Sequence, residues 1–494
     1  MAHRYRLSKS TFMRGLQCPK SLYLYKHHYD LQDEISAARE AIFAQGHEVG
    51  ELAQQLFPGG VDLSPKRVKE LKPEFAQAIE RTAEEIAKGT PVIYEAALVH
   101  EGVLAAMDIL VRDGDRWKAY EVKSGARVKD AYATDAALQY WVLTGAGLDI
   151  ADISIVHIDS SYVRDGDIDV HRLFAIESVL ERAQERHDEI GSAVARCHEV
   201  IDARDVPEIG IGPHCSDPYE CSFHGHCWQH VPEVSVFDLS GMGRKGWQLH
   251  EQGILRIEDI PDDFELNGKQ RIEVQAAVSA EPHIEPEAVR EFVGGLEYPL
   301  YFLDFETLIT AVPLFDGSSP YKPVPCQYSL HRRAEPGGDL QHSAFLGDGR
   351  SDPRPALLEQ LIRDVGPDGD ILMYTSYERT QLNNLIEAVP QRAAEIQALI
   401  DRLVDLARPF ATHSYYTAAM SGSYSIKYVL PALVPDLAYE GMDIADGMAA
   451  SNAYASLHFE SDPARIAEIR QQLLDYCGFD TLAMVRLLEV LEAL

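Results

Sequence analysis

Strand-like apolar runs occur in two separate stretches of this sequence, and this recurrence constrains the fold more than any other feature. The first stretch holds VIYEAALVH, GVLAAMDILVR, RWKAYEVKS and DISIVHIDS, with helical apolar spacing at 35–57, at 73–88 and in AYATDAALQYWVLTGAG. The second holds LEYPLYFLDFETL and GDILMYTSYE and ends in the helical QQLLDYCGFDTLAMVRLLEVLEAL. Strands that alternate with helices indicate the α/β class. Because 494 residues exceed one typical domain, we expect two α/β units.

The segments around these stretches predict the domain boundaries. A long helix is predicted near 174–199, and the segment PHCSDPYECSFHGHCWQH after it closes the first unit. Short polar helical patterns with Gly and Pro follow, including GILRIEDIP. We therefore predict a first unit at 1–231, a helical connector at 232–295 and a second unit at 296–494.

Charge bears on the class of partner. The chain has 45 Lys and Arg against 78 Asp and Glu, a net charge of −33, which repels nucleic acid at long range unless basic residues are gathered locally. Residues 1–29 are such a local group, since they contain no acidic residue. Their basic residues are Arg4, Arg6, Lys9, Arg14, Lys20 and Lys26. This group fits either a contact with a phosphate backbone or an ordinary solvated face.

Two further features concern the compartment. The amino terminus lacks the apolar core of a signal peptide, and no run approaches the roughly 18 apolar residues of a membrane span. We therefore expect a cytoplasmic protein without membrane contact. Seven cysteines are too few for a disulfide scaffold in so long a chain. Three of them, Cys215, Cys221 and Cys227, lie within thirteen residues, which in a reducing compartment indicates metal binding.

A predicted hairpin brings two acids and a lysine onto one face of the first unit. The DGD sequence at 113–115, between two strand-like runs, is a turn signal. Counting outward from a two-residue turn pairs Asp108 with Glu121, and Lys123 points to the same face. Close carboxylates repel unless a cation lies between them, so a site for Mg²⁺ or Mn²⁺ is the functional interpretation. An exposed hairpin with an ordinary ion pair is the alternative.

Asp108 followed by Glu121-Val-Lys123 at the end of a strand resembles the core of the PD-(D/E)XK nucleases. Its position between one early and three later cysteines is similar to the RecB-like, CRISPR-associated nucleases that carry a 4Fe-4S cluster. The resemblance implies the cluster ligands Cys18, Cys215, Cys221 and Cys227. It also implies a metal ligand at His47, in FAQGHEVGEL, and a catalytic role beside Lys123 for Gln139, on the ALQYWVL helix.

The residues alone leave the metal at the four cysteines open. Four thiolates suit a 4Fe-4S cluster. A tetrahedral zinc site would use the same cysteines or recruit His224 or His226, and buried thiols without a metal are the third possibility. His47 taken by itself fits a surface or helix-capping histidine as well as a ligand.

Two acids and a tyrosine–acid pair mark the second unit. In YFLDFETL, Asp304 and Glu306 lie two residues apart on an apolar strand, so both carboxylates face the same way. Burying two acids there is costly unless a cation binds. In YCGFDT, Tyr476 and Asp480 share one face of a predicted helix at i, i+4. A tyrosine beside a metal-binding acid can position an attacking water.

This second pattern resembles the DnaQ-like, ribonuclease-H-fold 3′–5′ exonucleases of the DEDDy type. The resemblance implies two metal ions that hold the attacking and leaving oxygens of an in-line displacement, with Tyr476 in a catalytic role. The metal ligands that it implies are Asp304, Glu306, Glu378 and Asp480. In YTSYERTQL, Glu378 stands where the family usually has Asp, and Tyr374 stands where Asn is usual. Asp405 is the other candidate acid, and Lys427 is either a phosphate contact or a plain surface lysine.

The two resemblances together are similar to an uncharacterised bacterial family that joins a RecB-like nuclease to a ribonuclease-H-like exonuclease domain. They imply an α/β fold with a PD-(D/E)XK nuclease domain and its iron–sulfur clamp, a helical connector and a ribonuclease-H-like domain. The expected function is a metal-dependent nuclease with two candidate centres, which acts on DNA at ends or single strands. The alternatives are a nucleic-acid-binding protein with one or both centres degenerate, and an RNA-processing exonuclease.

Overall fold

The computed structural model describes residues 5–35, 37–65, 75–439 and 441–494. The chain divides into two compact units, and both contain mixed sheets with helices, as the strand and helix patterns predict. The first unit is Met1–His230 with Ala311–Leu314 and Ser319–Tyr321, and the second is Val231–Thr310, Phe315–Ser318 and Lys322–Leu494. Among the described residues, no helix has both the length and the apolar character needed to cross a membrane.

The first unit is built on a sheet whose strands follow the spatial order β2-β3-β4-β5-β6-β7, with β1 paired to β4. The strands are β1 (Leu7–Ser8), β2 (Val61–Asp62), β3 (Val92–His100), β4 (Val103–Asp113), β5 (Arg116–Lys123), β6 (Ile150–Ile158) and β7 (Phe174–Ser178). The helices are α1 (Lys9–Gln17), α2 (Pro19–His27), α3 (Ala37–Ala53), α4 (Phe75–Lys88), α5 (Asp130–Gly145), α6 (Val170–Leu173), α7 (Leu180–Glu185), α8 (His187–Asp202) and α9 (His224–Cys227). Helix α5 packs into the core formed with this sheet through Leu138 and Trp141.

The β4–β5 hairpin has the predicted register. The pairs run from Asp113 opposite Arg116 to Ile109 opposite Tyr120, so the next position along places Asp108 across from Glu121. The turn has Gly114 at φ 65°, a conformation that suits glycine. Counting outward from the two-residue turn therefore predicts correctly which residues of β4 and β5 face each other.

The helix predicted near 174–199 is wrong in its first part. Residues Phe174–Ser178 form the strand β7, which pairs antiparallel with β6, and the helices α7 and α8 come after it. Phe174 is buried, whereas the side chains that follow it are largely exposed. Pairing with an available sheet edge thus overrides a local helical pattern. The predicted helix at 73–88 is observed as α4, and its first two residues lie outside the described ranges.

The second unit contains a five-stranded sheet in the order β11-β10-β9-β12-β13. Strands β11, β10 and β9 are antiparallel, and β9, β12 and β13 are parallel. The strands are β8 (His283–Ile284), β9 (Leu300–Leu308), β10 (Val324–Arg333), β11 (Leu340–Leu346), β12 (Ile371–Met373), β13 (Leu403–Asp405) and β14 (Tyr415–Tyr416). The helices are α10 (Arg244–Glu251), α11 (Gly268–Ser279), α12 (Pro286–Gly294), α13 (Arg354–Val365), α14 (Tyr377–Ala388), α15 (Ala393–Ile400), α16 (Arg408–Ala411), α17 (Ile426–Leu433), α18 (Gly447–Ser456) and α19 (Pro463–Glu492).

The predicted connector at 232–295 groups with the second unit. Ala276 and Val289 join a core with Phe302 of β9 and with apolar residues of α19. The buried Glu273 carboxylate lies 2.7 Å from the imidazole of His413. The connector therefore shares a core with the sheet that carries Asp304 and Glu306.

Candidate functional site

Three carboxylates of the second unit converge where β9 faces α19. Asp304 and Glu306 extend from β9 and Asp480 from α19, and one oxygen of each lies within 4.8 Å of the other two. In the described part of the chain, no other set of three acid, His or Cys ligand atoms has this spacing. Alternation along β9 places Asp304 and Glu306 on one face, as the sequence predicts, and the packing of α19 against β9 brings Asp480 to them.

The three acids are held in surroundings that disfavour their charged forms. Burial, together with the charges of Asp480 and Glu306, raises the pKa of Asp304 well above its ordinary value. Burial likewise raises the pKa of Glu306, and it raises the pKa of Asp480 to about 6. A divalent cation among these oxygens would favour the charged forms that burial and mutual repulsion disfavour.

Glu378 is a fourth acid at the same place. It lies in the first turn of α14, is 2% exposed and lines a cavity of about 690 Å³ together with Asp304, Glu306 and Asp480. Its Oε2 atom is buried and has no hydrogen-bond partner within the described residues. Burial raises its pKa to about 8. A buried carboxylate oxygen without a hydrogen-bond partner is costly, so this oxygen fits a metal ligand.

Two neighbouring groups hold the acids in position. The phenol of Tyr439 donates a hydrogen bond to Asp480 Oδ1 at 2.5 Å, and the thiol of Cys477 lies 3.4 Å from Asp304 Oδ2 as a donor. Tyr476, on the turn of α19 before Asp480, lines the cavity with its ring 6.4 Å from that of Tyr439. Tyr439 therefore holds one of the clustered carboxylates, and Tyr476 lines the cavity beside it.

The wall of the cavity contains further groups singled out in the sequence. Lys427 lines it and donates from Nζ to the carbonyl of Ala445 at 2.7 Å, and its charge partly offsets the burial that raises the pKa of Glu306. Tyr374 also lines it and donates to the carbonyl of Tyr424 at 2.7 Å. Asp405 lies elsewhere, where its Oδ1 accepts the backbone N–H groups of residues 375 and 407. Asp405 thus stabilises a loop and is not one of the clustered acids.

Asp108, Glu121 and Lys123 of the first unit lie together. Asp108 Oδ2 accepts the backbone N–H of Val122 at 2.6 Å, and Lys123 Nζ lies 2.6 Å from Glu121 Oε1. Gln139, on α5, donates from Nε2 to Glu121 Oε2 at 2.7 Å. The structure therefore brings all four of these predicted residues to one point.

Two residues that were not predicted at this point complete the group. Lys9 Nζ lies 2.5 Å from Glu121 Oε1, and Asp135 Oδ2 lies 2.5 Å from Lys123 Nζ. Although burial opposes it, the charges of Lys123 and Lys9 hold the pKa of Glu121 below its ordinary range. Asp108 has the opposite shift, because burial and the Glu121 charge raise its pKa. Asp135 could have been found from the sequence, since it lies four residues before Gln139 on the same helix.

His47 is exposed on α3, and it is not part of a set of three ligand atoms with the spacing found in the second unit. Its metal-binding role stays a prediction.

The four predicted cysteine ligands line one small cavity of the first unit. Cys18 lies between α1 and α2, Cys215 and Cys221 are joined by a backbone hydrogen bond of 2.8 Å, and Cys227 ends α9. His224 also lines this cavity. All seven cysteines of the chain are free thiols. No three ligand atoms of these cysteines and neighbouring described histidines lie within 4.8 Å of one another.

Helix α1 is tied to the cysteine segment. Gln17 donates from Nε2 to the carbonyls of His214 at 2.8 Å and Tyr219 at 2.5 Å. Arg14 donates to the hydroxyls of Ser21 and Ser222, each at 2.9 Å. Hydrogen bonds therefore join two parts of the chain that are about two hundred residues apart in sequence.

Comparison with protein families gives one match. Residues 301–425 match a family described as a domain of unknown function, DUF2779. This range contains Asp304, Glu306 and Glu378 and ends before Asp480. Comparison with curated proteins finds no match.

Proposed function

We propose that this protein is a metal-dependent nuclease that hydrolyses phosphodiester bonds of DNA. The observation that carries the proposal is the convergence of Asp304, Glu306 and Asp480 within 4.8 Å at a large cavity. Oxygen ligands of this kind suit Mg²⁺ or Mn²⁺, and the buried oxygen of Glu378 adds a further donor. A ribonuclease-H-like fold is proposed for this unit on the same acids and on the mixed sheet that carries them.

The residues of the second centre have distinct roles in this proposal. Asp304, Glu306, Asp480 and Glu378 would hold divalent cations, which would supply positive charge at the phosphate and lower the pKa of the attacking water. Tyr476 lines the cavity and positions that water, while Tyr439 and Cys477 hold Asp480 and Asp304 in their ligand orientations. Lys427, on the cavity wall, attracts a phosphate of the substrate strand.

The first centre is proposed as a second nuclease centre with a PD-(D/E)XK-like arrangement. Asp108 and Glu121 offer metal ligands, and Lys123 stabilises negative charge that develops on the phosphate. Gln139 holds Glu121, and its own Oε1 is buried without a hydrogen-bond partner among the described residues. This centre fits a metal less completely than the second, since Glu121 already has both oxygens hydrogen-bonded.

The four cysteines are proposed to hold a 4Fe-4S cluster as a structural clamp. They line one cavity, which supports a shared ligand. A single zinc ion held by the same four thiolates is the other assignment. Iron, sulfide and zinc analysis of anaerobically purified protein distinguishes the two assignments.

The test uses end-labelled single- and double-stranded DNA and RNA with Mg²⁺ or Mn²⁺. Lys123→Ala removes the Lys123 ammonium from the first centre, and Asp304→Ala removes a proposed metal ligand from the second. Each change is expected to lower the activity of its own centre by about 10²–10³-fold. The matched controls are Lys118→Ala, at a half-buried position of β5 where the ammonium pairs with Asp113, and Asp339→Ala, at an exposed position of the loop before β11.

The outcomes separate the alternatives. Two active centres leave each single variant with a different part of the cleavage pattern and the double variant with none. Binding without cleavage by the parent would identify a nucleic-acid-binding protein, and cleavage of RNA alone would identify the RNA-processing alternative. A double variant that degrades every substrate like the parent would contradict the proposal.

A further inference from the structure

The amino-terminal segment contributes a second ammonium to the first centre. Lys9 Nζ lies 2.5 Å from Glu121 Oε1 and 3.7 Å from Asp135 Oδ2. Lys123 contacts the same two oxygens, at 2.6 Å and 2.5 Å. Glu121 and Asp135 have side chains that are 1% and 8% exposed, so the two lysines share one buried pair of acids.

The position of Lys9 is fixed by the elements that carry it. Strand β1, directly before it, pairs in parallel with β4, the strand of Asp108. Ser8 caps α1 and exchanges hydrogen bonds with Thr11, so Lys9 begins a well-defined helix. Strand β1 and the capped start of α1 therefore hold the Lys9 ammonium beside Glu121.

The charges explain why two lysines are needed. Glu121 and Asp135 both lie beside Lys123, and one ammonium cannot neutralise two buried carboxylates. Without Lys9, the uncompensated charge of Asp135 would compete with Glu121 for Lys123. Lys123 would then be drawn toward α5 and away from the acids that bind the metal.

We infer that Lys9 is a positioning residue of the first centre, whose ammonium balances Glu121 and Asp135 so that Lys123 stays available to the substrate phosphate. This inference rests on the proposed nuclease function of the first unit. Lys9 acts through Lys123 and Glu121, and it does not contact substrate in this role. It also gives one member of the basic amino-terminal group a function other than a solvated face.

The experiment compares Lys9→Met and Lys9→Arg in a chain whose second centre is inactivated by Asp304→Ala. Cleavage of end-labelled DNA gives kcat and KM, and titration followed by electron paramagnetic resonance gives the affinity for Mn²⁺. Lys9→Met is expected to lower kcat by about 10–100-fold, the usual effect of losing a supporting partner, with KM nearly unchanged. Mn²⁺ affinity is expected to stay equal or to increase, because a positive charge beside the ligands has been removed.

Two further variants make the result specific. Lys9→Arg keeps the charge and is expected to recover much of the lost kcat. Arg6→Met is the matched control, because Arg6 lies in the same amino-terminal segment as Lys9. It breaks an exposed ion pair with Asp202 and is expected to behave like the parent.

Four results would overturn the inference. The first is an unchanged kcat in Lys9→Met, and the second is a Lys9→Arg variant as slow as Lys9→Met. The third is a parallel loss of kcat, Mn²⁺ binding and thermal stability in Lys9→Met, which would show a purely structural role. The fourth is a parent that binds Mn²⁺ but never cleaves DNA, which would overturn the proposed first centre and the role of Lys9 with it.

Discussion

The two candidate centres balance their buried acids in different ways. In the first, Lys9 and Lys123 both lie within 2.6 Å of Glu121, so its charge is already compensated by the chain. In the second, Asp304, Glu306 and Asp480 meet without an ammonium at hydrogen-bond distance from them in the described structure. The charge of Glu121 is therefore compensated by the chain itself, whereas burial and mutual repulsion disfavour the charged forms of the acids in the second centre.

The geometry favours the second centre as a metal site, whereas the motifs favour the first. Asp108, Glu121 and Lys123 agree with the nuclease pattern proposed for the first centre, while Glu378 and Tyr374 depart from the pattern proposed for the second. Yet the second centre has the closely spaced acids, the large cavity and the buried oxygen of Glu378 without a partner. Agreement with a motif does not measure how open a site is to a metal ion. The distances between the acid oxygens, and buried oxygens without hydrogen-bond partners, indicate more directly whether a site can bind a metal ion.

The largest expected effect comes from changing a cysteine, which should impair the first unit and leave the second unit active. Cys221→Ser replaces one of the four proposed cluster ligands, which line one cavity of the first unit. Structural metal sites contribute about 10–16 kcal/mol to folding in small zinc domains. We expect loss of bound metal, low yield of the folded first unit and no first-centre cleavage. Cleavage that depends on Asp304 is expected to remain. Elemental analysis and the end-label assay provide the measurements.

Cys197→Ala is the matched control for this change. Cys197 is a buried thiol of α8 in the same unit, and it does not line the cysteine cavity. It is expected to keep the parent's metal content. Full iron or zinc content in Cys221→Ser would contradict the assignment of the four ligands.

The next effect concerns the departure from the family pattern in the second centre. Glu378→Gln keeps the shape of the side chain and removes a negative ligand, so second-centre cleavage should fall by about 10²–10³-fold, as for other lost electrostatic groups. Glu378→Asp introduces the acid usual in the exonucleases that this unit resembles, keeps the negative charge, and should keep much more of the activity. The end-label assay on a Lys123→Ala background measures both.

The exposed Glu335→Gln change is the control for Glu378→Gln, since it makes the same chemical substitution away from the cavity. Equal activity of the Glu378→Gln variant and the parent would show that Glu378 is not a functional acid.

Local periodicity explains the parts of the sites that the sequence predicts. The turn at Gly114 sets the register of Asp108 and Glu121, and alternation along β9 places Asp304 beside Glu306. These relations depend on neighbours in sequence or on one hairpin. The α/β class follows for the same reason, because strand and helix periods are local properties.

Tertiary contacts explain the parts that the sequence does not predict. Lys9 is more than a hundred residues before Glu121, and Tyr439 comes from an irregular segment that meets Asp480 only after folding. No spacing rule joins such pairs. Strand β7 was predicted as helix because its pairing partner β6 is not visible in a local window.

A smaller effect is expected on thermal stability. The pKa of Glu378 is about 8 and that of Asp480 about 6 in the folded protein, above their ordinary values of 4.5 and 3.8. The stability from these retained protons is complete below the unfolded pKa values and is lost as the pH rises through 6 and then 8. Added Mg²⁺ should therefore raise the unfolding temperature of the second unit more at about pH 8.5 than at about pH 5.5.

Saturation with Mg²⁺ at roughly 100 times its Kd corresponds to about 2.7 kcal/mol, or roughly 5–10 °C for a unit of this size. Differential scanning calorimetry at the two pH values measures the shift. The Asp304→Asn variant is expected to lose most of the Mg²⁺ effect at high pH. An equal Mg²⁺ effect at both pH values would contradict the coupling between protons and metal.

The smallest effect distinguishes the two tyrosines of the second centre. Tyr439→Phe removes only the hydrogen bond to Asp480, worth about 1 kcal/mol, so kcat should fall by roughly fivefold. Tyr476→Phe removes the group proposed to position water and should lower kcat by about 10²-fold or more.

The Tyr439 hydrogen bond also lowers the pKa of Asp480 against the burial that raises it. The acidic limb of the pH–rate profile should therefore move to higher pH in Tyr439→Phe alone, whereas a larger rate loss in Tyr439→Phe than in Tyr476→Phe would exchange the two roles.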